Sequence, residues 1–198
     1  MIYNLLNVKT KKKRLLANFD EDNSVFRVCS GSECVFVQYE SKSALKLYET
    51  RKEAKEAYLT QKAAFIDDIA PACFGGIVRY YISKAFWNRY TSGADNRIPY
   101  ITYPKNGIMY GYYTEVVTTA KTSEAEDDNF KNHFSSKAAY SKCLKSLQKR
   151  FSKTKRKLYN LTDTQVSKLE YDLDLRNIGW RDDGSVVIID FGSISTNQ

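Results

Sequence analysis

The segment from Asn177 to Asp190 constrains the fold more than any other part of the chain. It reads Asn-Ile-Gly-Trp-Arg-Asp-Asp-Gly-Ser-Val-Val-Ile-Ile-Asp, which leaves room for one tight hairpin. Arg181-Asp182-Asp183-Gly184 supplies the turn, because Asp-Gly accepts the positive φ that tight hairpins need. Val186 to Ile189 is an apolar, β-branched run, the pattern of a buried strand. That strand ends at Asp190, and a chain folding back on itself would bring this acid to Asn177. Asp172 stands five residues before Asn177, close enough to share one loop with it.

The order Asp172, Asn177, Asp190-Phe191-Gly192 resembles the protein-kinase-like superfamily, which places a catalytic base and two metal ligands in this sequence. It is similar in particular to small kinase-like proteins of bacteriophages, where Asp-Leu-His-x-x-Asn-Ile-Gly precedes a short hairpin and Ile-Asp-Phe-Gly. The resemblance implies an α+β fold of minimal bilobal form. Residues 1–118 would be an N-lobe, an antiparallel sheet plus one main helix, with a hinge near 114–118. Residues 119–198 would be a reduced helical C-lobe carrying the catalytic loop and the β-hairpin. The resemblance further implies that Asp172 accepts or orients a hydroxyl proton, and that Asn177 and Asp190 hold Mg2+ beside ATP.

The N-terminal half offers partners for these roles. Residues 24–48 read as three strands, 24–28, 34–39 and 43–48, with Ser30-Gly31-Ser32 between the first two. A small-residue turn lets backbone N–H groups face phosphate, and in a kinase-like protein Gly31 and Ser32 would cover the nucleotide. Ala44-Leu45-Lys46-Leu47 resembles the kinase strand whose lysine meets the α- and β-phosphates, a role that falls to Lys46.

Thr50-Arg-Lys-Glu53 fits a capping box and opens a helix whose stripe is Ala54, Ala57, Tyr58, Gln61, Ala64 and Phe65. Ile69-Ala70-Pro71 closes it. A helix glutamate would brace Lys46. Glu53 lies nearer the stripe, and Glu56 sits deeper in the helix and is the preferred candidate, since Glu53 has a capping role. Gly75-Gly76 reads as a turn, 77–82 as a strand, 84–95 as a loop or short helix, and 107–117 as strand-rich. The kinase likeness puts Thr114 beside the adenine and makes Glu115, Val116 and Val117 the hinge that hydrogen-bonds the base. Residues 121–130 read as a flexible connection, 135–158 as a helix and 163–169 as a second helix.

Composition narrows the class. The chain has 198 residues, 42% hydrophobic, and a formal charge of +8. No apolar run reaches the length of a membrane span, and the first residues lack the order of a secretory signal. Cys29, Cys34, Cys73 and Cys143 form no Cys-x-x-Cys pair, and His133 is the one histidine. Zinc is therefore not expected, and reduced cysteines fit a cytoplasmic protein. Lys11, Lys12, Lys13 and Arg14 form one basic run. Between Asn129 and Thr162 there is no acidic residue, while lysine and arginine accumulate over 137–157. Such a stripe suits an acidic protein surface or nucleic acid.

Three departures from the kinase pattern stand out. Leu169-Glu170-Tyr171 precedes Asp172 in place of the usual His-Arg or His-Gly. Asp174 replaces the lysine or histidine of the motif and adds negative charge there. Six residues follow Gly192, so a substrate platform is expected from residues 119–170, from a partner, or not at all. The reading is a compact phage-type Ser/Thr protein kinase acting on host proteins in the cytoplasm. An idle kinase-fold protein that inhibits a partner, a small-molecule kinase, and a nucleic-acid binder using the stripe are the alternatives.

Overall fold

The computed structural model describes residues 14–16, 27–30, 34–38, 41–91, 102–119, 134–162, 173 and 177–191. Over these the protein is α+β and divides into two compact units. One comprises residues 1–58 and 73–116, the other 59–72 and 117–198.

The first unit is built on a sheet with the strand order β1-β5-β6-β4-β3-β2. The strands are β1 (Arg14–Leu16), β2 (Arg27–Ser30), β3 (Val35–Gln38), β4 (Ser43–Tyr48), β5 (Cys73–Ile82) and β6 (Ile108–Glu115). All pairings are antiparallel except β1 with β5, which is parallel. Side chains alternate across the sheet. Leu45 and Leu47 join Val35, Val37, Tyr80, Ile82 and Met109 on one face, covered by Phe86 and Trp87 of helix α2 (Lys84–Thr91). Tyr48 and Tyr112 lie on the other face with Ala54 and Ala57 of helix α1 (Arg51–Ile66).

Helix α1 starts where the capping box predicts. The Thr50 N–H donates to the Glu53 carboxylate at 3.0 Å, and the Glu53 N–H donates to the Thr50 hydroxyl at 3.2 Å. Ala54, Ala57, Gln61 and Ala64 form its buried stripe, but Phe65 is exposed. The helix ends at Ile66, before the Ile69-Ala70-Pro71 stop.

The three residues of β1 pair in parallel with β5 at the edge of the sheet. One further expectation is corrected in this unit. Gly75-Gly76 is not a turn between elements. Both glycines have positive φ inside β5, where the register with β6 slips between Phe74 and Val78. The glycines absorb a bulge, and the sheet continues past them.

The second unit contains the sheet β7-β8-β9, with β7 at Thr118–Thr119, β8 at Ile178–Trp180 and β9 at Val186–Ile188. Against it packs helix α3 (Lys137–Tyr159), capped by Ser136, whose hydroxyl accepts from the Ala139 N–H at 3.1 Å. Asn160, left-handed at φ 52°, ends it. The core joins Leu147 and Phe151 of α3 to Ile178, Trp180, Ile188, Phe191, Ala64 and Ile69. The buried seam of α3 runs through Leu147, Phe151, Thr154 and Lys155, while Ala138 is exposed.

The chain divides at 116/117, and residues 59–72 belong to the second unit. The reason is packing. Ala64, Ile69 and Ala70 complete the second core, and the Ile188 N–H donates to the Ile69 carbonyl at 2.8 Å. Among the described residues no helix is long and apolar enough to cross a membrane.

Candidate functional site

The hairpin forms as its sequence predicts. Arg181 and Ser185 close it through an N–H to carbonyl bond of 3.0 Å, and the Gly184 N–H donates to Arg181 at 2.9 Å. Gly184 sits at φ 82°, so the loop is a turn followed by one left-handed residue, the geometry glycine adopts at least cost. The Asp183 carboxylate accepts from the Ser185 N–H at 2.8 Å. The hydrogen bonds to Ser185, and secondarily the Arg181 charge, hold its pKa below the ordinary aspartate value.

At the open end of the hairpin, the Ile189 N–H donates to the Asn177 carbonyl at 2.9 Å. This places Asp190, the next residue, beside Asn177. Asp190 is exposed, Asn177 is half-buried and Phe191 is buried. Phe191 meets Phe151 edge-to-face with ring centroids 5.8 Å apart. Core packing of Phe191 thus fixes the main chain from which the Asp190 carboxylate reaches solvent. Among the described residues no cluster of three or more His, Cys, Asp or Glu is placed to hold a metal. Two oxygen donors from Asn177 and Asp190 are nevertheless a fitting set for Mg2+, which keeps several waters and shares phosphate oxygens.

In the first unit, Lys46 is only 6% exposed. It lies opposite Tyr112 across β4 and β6, and alternation puts it on the α1-covered face with Tyr48. An ammonium is buried at high cost unless its surroundings satisfy it. Thr114 is buried at the end of β6, opposite Ala44. It is therefore the diagonal neighbour of Lys46 on the same face, a separation of about 7–8 Å in such pairs, with the Cβ atoms somewhat closer. Glu115, opposite Ser43, is the last residue of β6. The Val116 N–H donates to the Lys42 carbonyl at 3.0 Å, and at Val117 the chain passes into the second unit.

The two glutamate candidates separate. Glu53 is the capping partner of Thr50, while Glu56 stands one turn further on, 3.9 Å from Lys52. Gly31, Ser32 and Asp172 lie outside the described residues, as do Asp174, the 121–130 connection and the 163–169 helix.

One group of functional supports was not singled out from sequence. The 67–70 turn, with Asp68 at φ 54°, is gripped from two elements. Arg150 of α3 donates to the carbonyls of Asp67 and Asp68, and the Thr154 hydroxyl donates to the Asp67 carboxylate. Arg181 pairs with the Asp68 carboxylate at 2.7 Å and donates to the Ala70 carbonyl. These contacts tie the hairpin that carries Asn177 and Asp190 to α3. Nothing local in the sequence marks Arg181 for this role, since a turn arginine is ordinarily solvated.

No family model, curated protein or solved structure matches the chain.

Proposed function

We propose that the protein is an ATP-dependent phosphotransferase of minimal kinase-like form, acting on serine or threonine hydroxyls of a protein with an acidic surface. The observation that carries the reading is the Asn177–Ile189 main-chain hydrogen bond, which leaves Asp190 one residue beyond the bonded pair. Three others support it. Strands β2, β3, β4, β6 and β5 are neighbours in that order, and α1 follows β4 in the chain. Lys46 is buried on the α1-covered face with Thr114 as its diagonal neighbour. Residues 115–117 carry the chain from β6 into the second unit.

In this reading Lys46, braced by Glu56, orients the α- and β-phosphates, and Gly31 and Ser32 cover them. Glu115 and Val117 offer backbone groups to the adenine, next to Thr114. Asn177 and Asp190 hold Mg2+, which offsets phosphate charge. Asp172 takes the proton as the acceptor hydroxyl oxygen bonds to the γ-phosphorus. The bond from that phosphorus to the bridging oxygen breaks, and ADP departs with its electron pair. Positioning and charge stabilisation supply nearly all of the rate.

The test is incubation of the purified chain with γ-labelled ATP and magnesium, with and without bacterial lysate, beside Asp190→Ala. Label on protein that disappears in the variant supports the reading. Absence of label together with thermal stabilisation by ATP would leave a nucleotide-binding protein that acts by capturing its partner. Absence of both would end the nucleotide reading. Transfer that requires an added small molecule in place of protein would make it a small-molecule kinase.

A further inference from the structure

The charge on α3 is ordered as well as abundant. Lys142, Lys145, Lys149, Lys153 and Arg156 are all exposed, and they follow one another at intervals of three or four residues. At about 100° per residue they occupy an arc of about 80°, diametrically opposite the buried Leu147, Phe151 and Thr154. At about 1.5 Å per residue the row is about 21 Å long. α3 contains no acidic residue, so nothing on the helix neutralises the row. Among the described residues Lys142, Lys145, Lys149 and Lys153 have no ion-pair partner. Buried contacts on the opposite side fix the helix, so the row is held straight and rigid.

We infer that this row is a docking ridge for the phosphate backbone of duplex DNA, bound without regard to sequence. Three features of the ridge select this partner. The first is what flanks it. Ser141, Ser146 and Ser152 border the cations, so there is no exposed aromatic or large apolar anchor of the kind that drives protein–protein recognition. Lysine itself is depleted from such interfaces. Hydroxyls and ammonium groups are the usual ligands of backbone phosphates.

The second feature is the absence of stacking groups. Single-stranded nucleic acid is ordered on aromatic side chains, and the ridge presents none. A stiff duplex needs no such ordering. The third is the kind of cation. Four of the five are lysines, compact point charges that meet backbone phosphates and carry no sequence information there. Duplex RNA is distinguished by 2′-hydroxyl contacts across its minor groove, which a row of point cations does not provide. The inference is independent of the nucleotide chemistry proposed above and stands or falls separately.

The test is fluorescence anisotropy of the full chain with a labelled 20-base-pair DNA duplex over a range of salt. Five phosphate contacts predict a slope of log K against log salt near −4.5, a loss of roughly 500-fold between 50 and 200 mM salt. Lys145→Gln/Lys149→Gln/Lys153→Gln should reduce the slope to about −2, while its circular dichroism melt stays that of the parent. The matched triple Lys52→Gln/Lys55→Gln/Lys62→Gln on α1 removes the same charge and should leave the slope unchanged. Equal loss in both triples would mean that net charge alone attracts DNA, which overturns the ridge. A parent slope shallower than about −2 would overturn it too. So would tighter binding of single strands, duplex RNA or a polyglutamate peptide than of duplex DNA at the same salt.

Discussion

The main chain of Asn177 is tied to that of Ile189 by a hydrogen bond of 2.9 Å, and Asp190 is the next residue of the chain. Residues that are thirteen apart in sequence become neighbours because the intervening hairpin is closed at its other end by Gly184. The pair is then anchored from below by Phe191, which packs against Phe151. The site is an exposed carboxylate mounted on buried backbone. Chemistry and stability are therefore separable there.

That separation gives the first prediction. Asp190→Ala removes an exposed side chain with no packing role, so unfolding free energy should change by no more than about 0.5 kcal/mol. In the proposed phosphotransferase Asp190 is a magnesium ligand whose loss removes several kcal/mol of charge stabilisation, so phosphoryl transfer should fall by at least about a hundredfold. Melting curves and labelling measured side by side check both halves. A variant that loses stability and activity together would mean that Asp190 is a structural residue.

Lys46 behaves differently, because its stem is buried. Lys46→Met keeps most of the packing and removes the charge. ATP at a hundredfold excess over its Kd should stabilise the parent by about 2.7 kcal/mol. For a chain of this size that is a rise in melting temperature of about 5–10 °C. In Lys46→Met the rise should shrink to a small fraction of this. Thermal shift with ATP, set against GTP and free phosphate, makes the measurement. An undiminished rise in the variant would remove Lys46 from nucleotide binding.

Gly111 lies opposite Leu47, where β6 passes close to the Lys46 carbonyl of β4. A Cβ there would sit 2.2 Å from the Lys46 carbonyl oxygen. Backbone cannot swing aside as a side chain can, so Gly111→Ala must part the two central strands or tilt Lys46. The expected cost is about 1–3 kcal/mol, a fall of several degrees in melting temperature. Gly184→Ala instead meets open space and suffers only from its positive φ. It should cost about 1 kcal/mol.

Much of this was legible in the sequence where local chemistry and tertiary demand agree. The Asp-Gly turn, the β-branched run before Asp190, the Thr50–Glu53 box and helix α3 each form through contacts within a few residues, and each appears where expected. Long-range choices were not legible. Three residues of β1 become a strand only because β5 lies beside them. Gly75-Gly76 carries a strong turn signal, and pairing with β6 overrides it with a bulge. The periodicity of α1 shows which face is buried but not that its first half and second half face different cores. For the same reason the gripping of residues 67–70 by Arg150 and Arg181 has no signature in either local segment.

Arg181 and Asp68 form an ion pair, yet the two ends should respond unequally to mutation. Asp68 is 75% exposed at its side chain and Arg181 only 13%. Asp68→Asn breaks a largely solvated pair and keeps a residue type that tolerates positive φ, so it should cost about 0–1 kcal/mol. Arg181→Ala also strips the Ala70 carbonyl of its guanidinium donor, and an abandoned buried acceptor costs about 1–3 kcal/mol. Arg181→Lys should not restore it, because an ammonium cannot span both acceptors as a planar fork does. Denaturant midpoints of the three variants should therefore rank Asp68→Asn above Arg181→Lys, with Arg181→Ala lowest. An Asp68→Asn variant as unstable as Arg181→Ala would show that the charge pair, and not the carbonyl contact, holds the turn.

The hairpin turn should also be sensitive to acid. Hydrogen bonds to Ser185 depress the Asp183 pKa in the folded protein. A depressed carboxylate stabilises the fold above its unfolded pKa, and that contribution drains away as pH falls through the folded value. The loss should begin below about pH 4 and leave the neutral range untouched. The Ser185 amide reports on it directly, since its N–H is bound by the carboxylate at 2.8 Å. Its hydrogen-exchange protection, after correction for the intrinsic pH dependence of exchange, should decline between about pH 4 and pH 2. In Asp183→Asn, which keeps an acceptor oxygen but cannot titrate, protection should be flat over the same range. A parallel decline in both proteins would place the acid sensitivity elsewhere in the second unit and leave the Asp183–Ser185 contact without a role in it.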